Sequence, residues 1–129
     1  MFETPDVMRI AQDLARYAGT RQSVIARNIA NADTPGFKAQ DLKSFSDTFG
    51  QSARDVTLAT TRPGHQPSAA LGSSWSMVDA VGRPSPNGNT VSLEEEMVRS
   101  TRAQSAHTTA LTVYRSSLDI LRTALGRGR

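Results

Sequence analysis

The sequence predicts a mainly α-helical protein. Long N- and C-terminal helices pack as a coiled coil, joined by an irregular middle segment with room for short β-strands. Three observations predict this. Apolar residues recur at alternating spacings of three and four near both ends. Both runs carry helix start and stop residues. Between them the chain is crowded with Gly, Pro, Ser and Thr, which break long elements. The expected division is 1–34 for the N-terminal helix, 35–90 for the middle and 91–129 for the C-terminal helix, the two helices forming one discontinuous domain.

The N-terminal helix opens on Thr4, Pro5 and Asp6: a capping hydroxyl, a proline at the first helical position and an acid in the first turn. Met8, Ala11, Ala15, Ala18, Gln22, Ile25, Ile29 and Ala32 then form one stripe. Its small residues let another helix approach closely, so it is expected to face the larger residues of the C-terminal helix. A second row, Ile10, Leu14, Tyr17 and Val24, widens the apolar face and asks for more than one neighbour. The helix must stop near Ala32, because Thr34 precedes a proline and Pro35-Gly36 suits the centre of a type II turn. Asn28 and Asn31 place two amides on one face at the helix end, followed by Phe37 past the turn. Asn31 taken alone is an ordinary C-terminal cap.

In the middle, Phe45 and Phe49 are four apart and anchor a short amphipathic segment. Pro63, Gly64, Pro67, Gly72, Gly82, Pro84, Pro86 and Gly88 forbid a long element. Val56 and Leu58, then Trp75 and Met77, alternate with polar residues as one or two short strands would. The composition is that of a linker and equally of an arm that orders against neighbours.

The C-terminal helix is the most strongly marked. Leu93, Met97, Ser100, Gln104, His107, Leu111, Tyr114, Leu118, Leu121 and Leu125 follow the a/d rhythm of a coiled coil. Ser92 with Glu95 makes a capping box, Glu94, Glu95 and Glu96 complement the positive end of the helix dipole, and Arg122, Gly126 and Gly128 mark the end. Such a helix is roughly 50 Å long, more than a domain of this size needs, so part of its seam is expected to meet other subunits. Gln22, Ser100, Gln104 and His107 interrupt the two seams. They either face solvent or fix register by pairing.

No enzyme, metal or cofactor is expected. His65 and His107 have no partner at ligand spacing, the acidic run points in three directions around a helix, and no glycine-rich loop opens a helix. Without cysteine there is no disulfide. The net charge of +3 comes from arginines scattered along the whole chain and interleaved with acids, which argues against nucleic acid. No apolar run spans a membrane, and Met1–Pro5 does not begin a cleavable signal peptide. The hydrophobic share of 37% is too small for a large private core.

Ala30, Asn31, Thr34, Pro35, Gly36 and Phe37 resemble the N-terminal signature of flagellar basal-body rod and hook proteins, and Ile25, Ala26, Asn28 and Ile29 extend the match. Gly88 to Met97, GNTVSLEEEM, resembles the lead-in to their C-terminal helix. The short length and the LRTAL ending at Leu121–Leu125 are most similar to the proximal-rod members. The resemblance implies a structural subunit of a helical tube that crosses the periplasm and passes torque outward. Its implied partners are copies of itself, adjacent proximal-rod subunits, the rod-base adapter at the inner-membrane ring and the flagellar type III export apparatus. It also implies that Asn28, Asn31 and the turn lock the helix end to a neighbouring subunit. The terminal helices are then expected to fluctuate in the free subunit, since ordering costs about 1–2 kcal/mol per residue and each buried seam residue returns roughly 1.5–3 kcal/mol. The competing expectation is a soluble coiled-coil adapter or secretion-chaperone-like module that closes its helices into a dimer.

Overall fold

A computed structural model of the chain describes residues 6–52, 75–80 and 82–126. Among these, five elements follow in order: helix α1 (Asp6–Ala30), strand β1 (Gln40–Leu42), helix α2 (Phe45–Ser52), strand β2 (Met77–Asp79) and helix α3 (Leu93–Ala124). The expected helix start at Thr4 and Pro5, the strand residues Val56 and Leu58, His65 and Gly128 lie outside the described residues.

Local chemistry sets the limits of α3. Ser92 sits in extended backbone and its Oγ accepts the Glu95 N–H at 3.4 Å. Only half of the capping box forms, because the Glu95 carboxylate turns to Arg99 at 3.3 Å. At the other end the Leu125 N–H reaches the Leu121 carbonyl, and Gly126 takes φ +68°, the left-handed residue that closes many helices.

The two long helices run antiparallel. Gln22 Nε2 donates to Ser100 Oγ at 2.8 Å, and Asn28 Nδ2 to Glu96 Oε2 at 3.2 Å. Continued along the helices, this register sets Asp6 level with Ser117, so the last turns of α3 lie beyond the described part of α1. On α1 the buried stripe includes Met8, Ala11, Ala18 and Ile25, as the periodicity predicts, with Ala15 half-buried and Gln22 and Ile29 exposed.

On α3 the outcome differs from expectation. Its buried line is Glu96, Ala103 and Ala110, flanked by the half-buried Ser100, Ala106, Tyr114, Ser117, Leu118 and Leu121. Leu93, Met97, Gln104, His107, Leu111 and Leu125 are exposed. The buried line of α3 thus carries the small Ala103 and Ala110, where the sequence reading gave that place to the large residues. The reason is steric. Ala on both faces lets the helices approach closely, whereas Leu and Met at the same positions would hold the axes apart.

The second apolar row of α1 finds its neighbour in the middle of the same chain. Tyr17 and Val24 are buried with Leu42 of β1, and Leu14, Phe45 and Trp75 pack around them. Tyr17 meets Trp75 edge-on at 5.0 Å between ring centroids and Phe45 at 5.6 Å, while Phe45 stacks on Phe49 at 5.4 Å. The Tyr17 hydroxyl is satisfied by the Lys43 carbonyl at 3.0 Å, and burial raises its pKa. Strands β1 and β2 pair antiparallel, Asp41 opposite Val78, which returns the chain to the start of α3.

Candidate assembly interface

A polar joint forms where the end of α1, strand β1 and the start of α3 meet. Asn28, buried at 1% exposure, holds both backbone groups of Gln40: Nδ2 donates to its carbonyl at 2.7 Å and Oδ1 accepts its N–H at 3.1 Å. The same amide nitrogen reaches Glu96. Glu96 is itself 1% exposed, and its other oxygen takes a hydrogen bond from Arg99 at 2.6 Å. Beside it, Arg21 grips Asp41 with two parallel bonds of 2.8 and 2.6 Å. Burial alone would raise the Asp41 carboxyl, but hydrogen bonds from Arg21 and the Leu42 N–H, with the charges of Arg21 and Arg99, hold it below the usual range. The hydrogen bond to Asp41 likewise raises Arg21.

Two expectations change here. Asn28 does not face outward with Asn31; it is turned into its own chain, because the two backbone groups of Gln40 need a partner on the edge away from β2. Nor does Glu96 merely complement the helix dipole: it is buried in an ion pair that only a matched cation and amide make tolerable. Asn31 behaves as a cap, its Nδ2 donating to the Arg27 carbonyl at 2.8 Å.

The turn forms as its residues dictate. The Phe37 N–H reaches the Thr34 carbonyl at 3.3 Å and Gly36 adopts φ +71°, the geometry of a type II turn. Asp33, Thr34, Pro35 and Gly36 are exposed and Phe37 is half-buried. Behind the turn, buried Asn89 donates Nδ2 to the carbonyls of Asn31, Ala32 and Thr34 at 2.8–2.9 Å. Sequence reasoning passed over Asn89, Arg21, Asp41 and Arg99 as site residues. The three-residue spacing of Glu96 and Arg99 was the one local signal, whereas Asn89 acts on groups 55 to 58 residues away.

The side of α3 that carries Leu93, Met97, Leu111 and Leu125 is uncovered, and Val98 and Ile120 are open on its other side. Met97 is 67% exposed, Ile120 65% and Leu125 81%, with Leu93, Val98, Leu111 and Ile29 also open. Gln22 and Ser100 pair across this exposed side, while Gln104 and His107 face solvent. Among the described residues no group of acids, histidines or cysteines could hold a metal, and no helix is long and apolar enough to cross a membrane. Fold and site define a class: a helical structural subunit whose long C-terminal helix leaves several large apolar residues on the outside.

Residues 18–38, which contain the end of α1 and the whole turn, match the flagella basal body rod protein family. The chain is 33% identical over 121 residues to the flagellar basal body rod protein FlgB of Salmonella typhimurium, covering 86% of each chain. It is 36% identical over 97 residues to FlgB of Escherichia coli, 69% of this chain and 70% of that one. Over 131 residues it is 30% identical to FlgB of Yersinia enterocolitica, 94% of each. The chain belongs to the flagellar basal body rod protein FlgB family. It is a structural subunit of the rod and not an enzyme.

Proposed function

We infer that the chain assembles through its terminal helices, with copies of itself and adjacent proximal-rod subunits, into a helical tube that carries torque across the periplasm. The observation that carries this reading is the apolar flank of α3. Only three of its 32 residues, Glu96, Ala103 and Ala110, are buried within the subunit, while Leu93, Met97, Leu111 and Leu125, which share one face of the helix, remain open. An exposed row on a helix this long is a surface for other subunits. The polar joint and the buried alanines at 103 and 110 would keep the two helices from sliding under torsion.

The base of the tube would meet the rod-base adapter at the inner-membrane ring. Delivery would be through the flagellar type III apparatus, since a chain with so small a private core costs little to unfold.

Leu111→Asp tests the reading. It places a charge on the exposed row, so the free subunit should keep its melting temperature within a few degrees while rods fail to incorporate it and cells lose motility. Normal motility would count against the seam. Sizing separates the adapter alternative: monomers passing to open-ended polymers favour the rod, and a discrete dimer at every concentration favours the adapter.

A further inference from the structure

We propose that Asn89 is the positioning residue of the exposed 33–36 turn, holding it in the one shape a neighbouring rod subunit accepts; this rests on the assembly reading above. The carboxamide uses everything it has. Its two N–H protons serve the carbonyls of Asn31, Ala32 and Thr34, and Oδ1 accepts the Val91 N–H at 2.7 Å. Those carbonyls lie just past the end of α1, where main-chain acceptors are no longer served by the helix. The neighbours of Asn89 add to the hold. Gly36 N–H donates to the Asn87 carbonyl and Thr90 N–H to the Phe37 carbonyl, both at 3.0 Å. Gly88, at φ +78°, packs behind the turn, where a Cβ would make an ordinary contact of 3.6 Å with the Gly36 Cα.

The turn is therefore stitched from behind and open in front, with Asp33, Thr34, Pro35 and Gly36 all exposed. A loop ordered before it binds loses little entropy on binding. Only a neutral amide meets both demands at position 89. Aspartate would lose both donors and bring negative charge to the negative end of the α1 dipole.

The chain has no cysteine, so Asp33→Cys accepts a single spin label in the otherwise unchanged chain. In the otherwise native chain the label should report an ordered turn. Asn89→Asp should raise its mobility several-fold and abolish incorporation into rods, with Asn89→Ser, which keeps one donor, falling between. Leu42→Ala, a core truncation away from the turn, should lower the melting temperature yet leave label and incorporation unchanged. Should Asn89→Asp not fold, Asn89→Ser carries the comparison. An unmoved label in the Asn89 variants, or one loosened equally by Leu42→Ala, overturns the proposal. So does a loosened turn that still enters rods normally. Absence of the unsubstituted chain from rods would instead overturn the assembly reading.

Discussion

Asn28 and Glu96 stand 68 residues apart in the chain and 3.2 Å apart in the fold, both buried to 1% exposure. The amide serves three elements at once, since it also satisfies both backbone groups of Gln40. Asn28→Ala should therefore cost about 2–4 kcal/mol, well above a surface change, because it strands a buried carboxylate oxygen and two backbone groups together. Urea unfolding measures this; a loss under about 0.5 kcal/mol would mean that water replaces the amide freely.

At Gly36 a Cβ would meet nothing within 4 Å, so the glycine is needed for its φ of +71° alone. Gly36→Ala should destabilise by about 1–2 kcal/mol and Gly36→Val by more, whereas Gly36→Asn should cost least, since asparagine tolerates this region. Thermal melts of the three variants would give that order, and a different order would mean that space and not conformation limits the site.

The close helix contact predicts opposite behaviour on the two flanks of α3. Ala103→Leu forces apart helices that meet at 3% exposure and should cost about 1–3 kcal/mol in the free subunit. Met97→Ala, on a residue 67% exposed, should change the free subunit by less than about 0.5 kcal/mol yet reduce rod incorporation. Stability and incorporation assays on both variants would expose an exchanged pattern.

The depressed Asp41 carboxyl links stability to acid. Its folded pKa lies below the unfolded value of about 3.9, so the Arg21–Asp41 contribution is fully present above that value and is lost as pH falls through the folded pKa. Asp41→Asn should lower stability at neutral pH and flatten the acid limb of the stability profile. A profile that keeps its full acid slope would assign the dependence to other carboxylates.

Past Ser117, α3 has no described part of α1 beside it, and Ile120 and Leu125 are open. Amides from Leu118 onward should exchange rapidly in the free subunit and slowly in assembled rods, with the whole of α3 less protected than the end of α1. Uniformly slow exchange in a dilute monomer would contradict folding coupled to assembly.

Much of this was legible before any tertiary contact was known. The start of α3 at Ser92, its end at Gly126 and the turn at Pro35-Gly36 follow from capping hydroxyls, glycine's access to positive φ and proline's effect on its predecessor. Each acts within a few residues, and each was readable from a short window. The wide face of α1 was readable too, though not that its second neighbour would be Leu42, Phe45 and Trp75 of the same chain.

What the tertiary structure alone decided is which line of α3 meets α1 and which polar residues lie inside. Hydrophobic periodicity weights Leu and Met above Ala, so it selected the Leu93–Leu125 row, whereas close packing selects by volume and chose Ala103 and Ala110. Asn28, Glu96 and Asn89 look like surface residues in sequence, because the groups that make their burial tolerable are supplied from distant parts of the chain only once the helices have met.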